Sequence, residues 1–368
     1  MNFIIMLLTM LAAILGANFY VFFRLWHLIP LFTGSRIVLV CIAVFLCSSP
    51  LMAMGLGNRF PVSVTSLLYQ VGTSWLIILL YLVIIFFVLD IIRLTGVLPL
   101  KPFMFNSWSG FGILTLLLVA LLTTGNYNYH HKKRVALAIK TEKKISSERS
   151  LKIVALSDLH LGYGIDTKEF RKWVHLINKE NPDVVLIAGD AVDNSVRPLR
   201  ERGFTDVFGE IKTKYGIYMV PGNHEYISNI DQSIDFLTRA GVTLLRDSVA
   251  LINDSFYIIG RDDRSNFKRK TIAEMTASLD ESKPTILIDH QPYHLDEVAK
   301  YPVDLYLAGH THNGQTWPVS LITKVMYEIS YGYLKKGNTH FYVTSGIGIW
   351  GGKFRMGSRS EYVVITIQ

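Results

Sequence analysis

The chain is poor in two kinds of residue, and each scarcity excludes a class of protein. Only two cysteines, Cys41 and Cys47, occur among 368 residues, and both lie in an apolar run, which excludes a disulfide framework and a zinc-thiolate site. Acidic residues are almost missing from residues 1–128, where Asp90 is the single carboxylate beside five lysines or arginines. A water-soluble single domain is therefore excluded. Half of the residues are apolar and no low-complexity tract occurs, so extensive disorder is excluded as well.

The apolar residues of the first third form four stretches that approach the roughly 20 residues needed to span a bilayer as a helix. We predict spans at Phe3–Phe23, Ile37–Leu56, Val71–Ile92 and Trp108–Thr124. The first lacks the basic start of a signal peptide, and three more follow it. Residues 1–128 are thus predicted to be a transmembrane anchor of about four helices, with Asp90 and Arg93 paired near a helix end.

Basic residues near the ends of the spans predict the orientation of the anchor. Four flank one side and seven flank the other, the larger group being Arg59, Lys132, Lys133, Arg134, Lys140, Lys143 and Lys144. Because basic flanks favour the cytoplasm, we expect a multi-pass protein of the cell (inner) membrane with its second domain in the cytoplasm. Residues 129–150 are predicted to be a basic juxtamembrane linker that anionic headgroups attract.

Residues 151–368 have the pattern of an α/β domain that is large enough to enclose its own core. The segment Lys168–Glu180 places apolar side chains at helical spacing, and a second helix is predicted over Ile230–Ala240. The predicted strands are Lys152–Ser157, Val184–Ala188, Ile217–Val220, Phe256–Ile259, Thr285–Asp289, Leu305–Ala308, Phe341–Thr344 and Tyr362–Ile367.

Carboxylate, imidazole and amide side chains stand directly after five of these strands. They are Asp158, His160, Asp190, Asp193, Asn223, His224, Glu225, His290, His310 and His312. The carboxyl ends of strands in an α/β sheet share one edge, where ligands bind, so we expect these side chains to meet. Oxygen and imidazole donors without thiolate suit Mn, Fe or Zn, and paired ions clamp the oxygens of an in-line displacement at phosphorus. The alternative for any one histidine is an ordinary buried or surface group.

The ordered series D-x-H, G-D-x-x-D, G-N-H-E, H and G-H-T-H resembles the motifs of the calcineurin-like metallophosphoesterase superfamily. The resemblance covers roughly Lys152–Gln368, and the stretch Gly309–Gln315 is similar to a membrane-anchored branch that includes transmembrane proteins with a metallophosphoesterase domain. The implied fold is a four-layer αββα sandwich with two mixed sheets between helices.

The resemblance also implies a role for each strand-end residue. One divalent ion would be held by Asp158, His160, Asp190 and His312, and a second by Asp190, Asn223, His290 and His310. His224 would stabilise developing charge and act as the catalytic general acid toward the leaving oxygen. Asp193 and Glu225 would orient imidazoles from behind, although a surface or capping role is an equal alternative for Glu225.

The sequence leaves the substrate open. Beyond His312, an apolar face with aromatic and basic residues, among them Trp317, Lys324 and Tyr331, has the composition of a segment at a membrane interface. We therefore expect contact with the lipid bilayer and a phosphorylated, lipid-linked substrate such as UDP-2,3-diacylglucosamine, cleaved at a phosphodiester or pyrophosphate bond. The alternatives are an ordinary core helix in this stretch, a phosphodiesterase acting on soluble nucleotides, and a non-catalytic membrane scaffold or sensor. No nucleic-acid partner is predicted, because no basic-aromatic stripe occurs, and the oligomeric state is not predicted.

Overall fold

The computed structural model describes residues 3–30, 32–143, 145 and 150–368. The chain forms two compact units, Met1–Gly125 and Asn126–Gln368. Lys144 and residues 146–149 of the predicted linker lie outside the described residues. The predicted boundaries of 128 and 150 stay a prediction.

Long apolar helices make up the first unit. They are α1 (Phe3–Leu28), α2 (Thr33–Leu56), α3 (Val62–Thr95), the short α4 (Lys101–Met104) and α5 (Trp108–His130), which runs on into the second unit. Four of them are long and apolar enough to cross a membrane. Helix α3 begins earlier than predicted, and the buried hydroxyl of Thr65 in the added part donates to the carbonyl oxygen of Gly57, so it does not interrupt the helix.

The one carboxylate of the first unit, Asp90, is paired with two arginines. Asp90 in α3 lies 3.7 Å from the Arg93 guanidinium and 3.2 Å from that of Arg24 in α1, and it accepts a hydrogen bond of 2.6 Å from the Tyr20 hydroxyl. Asp90 therefore joins α1 to α3 in addition to pairing within α3.

The second unit contains twelve strands and eight complete helices among its described residues. The strands are β1 (Lys133–Ile139), β2 (Leu151–Leu156), β3 (Val184–Ala188), β4 (Ile217–Val220), β5 (Val242–Leu244), β6 (Ser248–Ile252), β7 (Phe256–Gly260), β8 (Thr285–Ile288), β9 (Leu305–Ala308), β10 (Gly332–Lys336), β11 (Thr339–Val343) and β12 (Glu361–Ile367). The helices are α6 (Thr167–Lys179), α7 (Arg197–Glu201), α8 (Phe204–Gly209), α9 (Asn223–Ile227), α10 (Ile230–Arg239), α11 (Ile272–Thr276), α12 (Leu295–Val298) and α13 (Val319–Met326).

The strands form two six-stranded mixed sheets. One has the order β1-β12-β2-β3-β4-β5 and is parallel except between β12 and β2. The other has the order β10-β11-β9-β8-β7-β6 and is parallel except at its two outer pairs, β10–β11 and β7–β6.

Alternation along the strands produces four layers. Ile153 in β2 and Ile286 in β8 belong to one core cluster between the sheets. The neighbouring Val154 faces the opposite way and packs with α6, α8 and α10, whereas Leu287 packs with α11 and α12. The predicted αββα sandwich with two mixed sheets is confirmed.

One element differs from the expectation for residues 129–150. The segment predicted to be a basic linker contains β1, which pairs along its whole length with β12. Val135, Leu137 and Ile139 alternate toward the core between the sheets, and Arg134 bonds the Glu180 carboxylate at 2.8 and 2.9 Å. Arg134, one of the basic residues of this segment, therefore forms an ion pair within the second unit.

Candidate metal centre

The strand-end residues come from two sheets, not from the one edge that we predicted. Asp158 and His160 follow β2, Asp190 follows β3 and Asn223 follows β4 in the first sheet, while His290, His310 and His312 follow β8 and β9 in the second. The sheets pack face to face, so their carboxyl ends still meet at one place. The structure brings all seven predicted ligands together there.

The donor atoms form overlapping groups whose members all lie within 4.8 Å of one another. One group joins Asp158, His160 and His312; the Nε2 atoms of the two histidines are 3.1 Å apart. Another joins Asp190, His290 and His310. Asp190 also belongs to a third group with His160 and His224. Its carboxylate therefore stands where a ligand shared by two ions would stand.

His290 provides a test of whether these groups fit a cation. Its Nδ1 lies 2.8 Å from the carbonyl oxygen of Ala188, which only accepts, so Nδ1 carries the proton. In the neutral ring the Nε2 lone pair then faces Asp190 Oδ2 at 3.2 Å and Asn223 Oδ1 at 3.1 Å. Acceptor atoms that converge in this way repel one another unless a positive charge, either a second proton on the ring or a metal ion, lies among them. The donor set therefore fits a metal ion.

The electrostatics of the site favour positive charge for the same reason. Burial by itself would lower the pKa of His290, but the carboxylates of Asp190 and Asp158 raise that pKa well above its ordinary value. Burial would raise the pKa of Asp190, and the imidazole of His290 instead holds it well below the usual range. The Asp190 carboxylate thus remains ionised and attracts a cation, whereas burial raises the pKa of Asp158.

The backbone at the site is held in an unfavourable conformation. Five predicted ligands, Asp158, His160, Asp190, His310 and His312, have φ between 46° and 68°. Such conformations cost about 1–3 kcal/mol each in non-glycine residues and cluster at functional sites. Close packing accompanies them: a Cβ atom on Gly222 would lie 2.1 Å from the Asp190 carboxylate, and one on Gly309 would lie 2.5 Å from that of Asp158.

His224 stands at the open side of the site with a carboxylate behind it. Its Nδ1 is 3.1 Å from Asp193 Oδ1, and its ring centroid is 4.5 Å from that of His160. Burial opposes protonation, but the carboxylates of Asp190 and Asp193 raise the pKa of His224 to about 9. A protonated, half-buried imidazole directed by a buried carboxylate has the arrangement of a general acid.

Comparison with known proteins places this arrangement in a family. The family model of calcineurin-like phosphoesterases matches residues 151–314. An uncharacterized metallophosphoesterase of Aquifex aeolicus is 32% identical over 238 residues, which cover 62% of this chain and 89% of that protein. The chain belongs to the calcineurin-like metallophosphoesterase superfamily.

Two further relatives are similar to this chain, and one of them is described as a transmembrane protein. An uncharacterized metallophosphoesterase of Helicobacter pylori is 34% identical over 227 residues, 60% of either chain. A zebrafish protein described as a transmembrane protein with metallophosphoesterase domain is 30% identical over 277 residues, 70% of this chain and 62% of that one. With its four apolar helices, this chain is a member of the membrane-anchored branch of the superfamily. The alignments span less than two thirds of the Helicobacter and zebrafish proteins.

Asp193 and Glu225 support the metallophosphoesterase site in different ways. Asp193 lies 3.5 Å from His160 Nδ1 as well as beside His224, so it contacts two imidazoles. Glu225 contacts backbone instead: its carboxylate accepts hydrogen bonds from the amides of Asp190, Val192 and Gly222 at 2.7–3.0 Å. Glu225 therefore fixes the loop that carries Asp190 to the loop that carries Asn223.

Arg355 is a site residue that the sequence analysis missed. Its side chain is fully buried and donates to the carbonyl oxygens of His312, Ser345 and Gly348 at 3.2, 2.7 and 2.8 Å. Its Nη2 also lies 3.3 Å from His312 Nδ1. Burial lowers the pKa of Arg355 to about 10. No signal in the sequence singles it out, because Lys353 and Arg359 lie in the same glycine-rich segment near the C-terminus.

The three residues predicted to contact substrate or membrane have different surroundings. Trp317 is half exposed and Lys324 is exposed on α13, which presents Leu321, Ile322, Val325 and Met326 to solvent. Tyr331 points inward instead, because its hydroxyl donates to the Glu361 carboxylate at 2.8 Å. Ile329, which follows the helix in the sequence, packs against the core of the second sheet. The exposed apolar face is therefore limited to Trp317 and α13.

Proposed function

We propose that this metallophosphoesterase holds two divalent cations and hydrolyses a phosphate ester or pyrophosphate bond in a lipid-linked substrate. The observation that supports it most is the convergence of seven oxygen and imidazole donors around His290 Nε2 and Asp190. The family supplies the class of reaction, the hydrolysis of a phosphoric ester.

Each cation would have its own ligands and share one. Asp158, His160, Asp190 and His312 would hold the first, and Asp190, Asn223, His290 and His310 the second. Divalent cations, when bound, polarise phosphoryl oxygens and lower the pKa of water toward neutrality. The buried side of the site, Asp158, Asp190 and His290, excludes solvent, whereas Asn223, His310 and His312 are partly exposed and leave the substrate an approach.

His224 would supply the proton that the leaving oxygen needs. The Nδ1–H of the ring donates to the backbone carbonyl oxygen of Asp193 at 3.3 Å and lies 3.1 Å from the Asp193 carboxylate, which would leave Nε2 free for the substrate. In this arrangement the carboxylate would fix the tautomer of the imidazole and stabilise its protonated form, as a general acid requires.

The exposed face of α13 supports a lipid-linked substrate. Val325 is 89% exposed, and Leu321, Ile322 and Met326 are each more than half exposed, in a helix that begins a few residues after His312. A contiguous apolar face of this kind on a folded domain marks a contact with a membrane or a partner. Lys324 on the same helix suits a headgroup region.

The proposal is tested on the full chain in lipid nanodiscs with two aryl phosphodiesters and Mn. The esters carry p-nitrophenol, a good leaving group, and phenol, a poor one that depends on protonation. We expect His224→Ala to lower kcat on the phenyl ester about 10²–10⁴-fold and to affect the nitrophenyl ester less. His175→Ala, on the exposed face of α6, is the matched control and should leave both rates unchanged.

Two outcomes would overturn the proposal. Equal losses on both esters would remove His224 from the acid role. No hydrolysis of either ester by the metal-loaded wild-type chain, with the metal retained, would favour the non-catalytic scaffold or sensor.

A further inference from the structure

A fully exposed aromatic side chain stands in a basic loop of the second unit. Phe267 is 97% exposed, the highest value among the large exposed apolar side chains of the described residues. Its loop reads R-S-N-F-K-R-K from Arg264 to Lys270. Arg264, Lys268 and Lys270 are all exposed, and within the described part of the chain none of their side chains forms an ion pair.

The loop that carries Phe267 is well ordered by hydrogen bonds. The Asp263 carboxylate accepts from the amide and hydroxyl of Ser265 at 2.8 and 2.7 Å. Asn266 donates to the Asp262 carboxylate at 2.9 Å, and Arg269 donates to the Asp262 carbonyl at 3.2 Å. Because these hydrogen bonds hold the loop on both sides of Phe267, its side chain is kept in solvent. The exposure is therefore a feature that calls for a partner.

The loop borders the metal site. The Arg264 guanidinium lies 4.1 Å from the centroid of the Tyr293 ring, and the Tyr293 hydroxyl lies 3.2 Å from that of Tyr327. The Tyr327 ring is 6.4 Å from the ring of His310, a predicted ligand, and Tyr327 directly follows α13. Arg264 of the loop and Tyr327 at the end of α13 are thus linked through Tyr293 beside the site.

The chemistry of the loop fits an anionic lipid surface. An aromatic side chain flanked by lysine and arginine is the combination that interfacial segments use, with the ring among the acyl chains and the cations at the phosphates. Four apolar helices in the same chain keep a bilayer at high effective concentration. An acidic protein partner would match the cations and leave Phe267 without an apolar environment.

We propose that the loop Arg264–Lys270 inserts Phe267 into the interface of an anionic bilayer and forms, with α13, a two-point membrane contact around the metal site. The contact goes beyond the proposed function, and only its consequence for substrate entry rests on that function. A lipid-linked phosphate would then enter the site past Arg264, Tyr293 and Tyr327.

The contact is tested by labelling in full-length protein reconstituted into vesicles. Phe267→Cys, in a background with Cys41→Ser and Cys47→Ser, carries an environment-sensitive fluorophore, and the vesicles contain phosphatidylcholine with or without phosphatidylglycerol. Spin-labelled acyl chains serve as quenchers. Thr238→Cys, exposed on α10, is the matched control. We expect quenching and a blue shift at position 267 that increase with phosphatidylglycerol, and neither effect at position 238.

Reversing the charge of two lysines tests the electrostatic contribution to the membrane contact. Lys268→Glu with Lys270→Glu should remove the increase that phosphatidylglycerol causes at position 267. An increase that survives the reversal would overturn the role of these lysines. Equal quenching at 267 and 238 would overturn the contact itself, and a signal that follows protein concentration instead of lipid quencher would replace the bilayer with a second copy of the chain.

Turnover separates this contact from the proposed function. Phe267→Ser should raise KM for a vesicle-borne phosphodiester about tenfold and leave kcat/KM for a soluble aryl diester unchanged. An equal loss on both substrates would contradict the docking role. Specific quenching at position 267 without hydrolysis of any ester would uphold the contact and refute the proposed function alone.

Discussion

The anchor and the candidate metal site of the second unit differ in how their charged groups are arranged. In the first unit the few polar side chains with resolved contacts find partners: Asp90 meets two arginines, and Thr65 and Thr73 bond to carbonyl groups. In the second unit carboxylates and imidazoles crowd together, with Asp190 and Asn223 aimed at one His290 nitrogen. A bilayer gives an unpaired polar group no water, whereas a metal site requires donors that the protein leaves unsatisfied. Carboxylate and imidazole atoms that face one another without a hydrogen atom between them therefore indicate the metal site, whereas paired polar side chains indicate a structural role.

The largest expected effect comes from removing the carboxylate shared between the metal groups. Asp190→Ala deletes a donor from two of the three groups, and we expect metal content to fall and hydrolysis of the aryl diester to drop more than about 100-fold. Elemental analysis of the full chain and the rate assay measure the two effects. Asp231→Asn, exposed on α10, is the control. An Asp190 variant that retains its metal and its rate of hydrolysis would show that the crowded carboxylates and imidazoles do not form a metal site.

The sequence was informative wherever function depends on neighbours in the chain. Asp158 and His160 follow one strand, and His310 and His312 follow another, so each pair is visible as a short motif. The same holds for the four apolar helices, whose composition is sufficient to predict them. The roles of the individual ligands stay a prediction until metal binding is measured.

Residues whose partners are distant in sequence escaped prediction. Strand β1 is fixed by β12 near the other end of the domain, and its alternation is too short to reveal that pairing. Glu225 is visible in the sequence as part of the G-N-H-E motif. Its three backbone partners, however, depend on the relative position of two loops. Tyr331 has interfacial composition and still turns inward to Glu361. Composition indicates where a residue type is common, and it does not specify the partner.

A smaller effect is expected from Arg355, which supports the site without belonging to the donor set. Arg355→Lys keeps a positive charge but loses the planar fork that reaches the carbonyls of Ser345 and Gly348. We expect the second unit to lose about 2–4 kcal/mol of unfolding free energy, since buried carbonyl groups lose their donor. Metal affinity should fall about 10–100-fold, because His312 loses its support.

Arg359→Lys, four residues further on and exposed, is the control for Arg355. Thermal unfolding followed by tryptophan fluorescence and a metal titration give the two quantities. An Arg355 variant with full stability and lowered metal affinity would assign Arg355 to the site alone. One with unchanged metal affinity would show that the support of His312 comes from elsewhere.

The smallest effect is expected in the first unit, at Asp90. Asp90→Asn preserves an acceptor for the Tyr20 hydroxyl but leaves Arg24, which is only 6% exposed, without its counter-charge. Polar contacts between membrane helices contribute about 0.6–2 kcal/mol, so unfolding in a detergent titration should shift by that amount. Combining Asp90→Asn with Arg24→Met should cost less than the sum of the two single changes, because the second removes the charge that the first left unpaired. Hydrolysis of a soluble diester should stay unchanged, since Asp90 serves packing in the anchor. A large loss of hydrolysis in a stably folded Asp90 variant would show that the anchor also takes part in the chemistry, and the contrast between the two units would then fail.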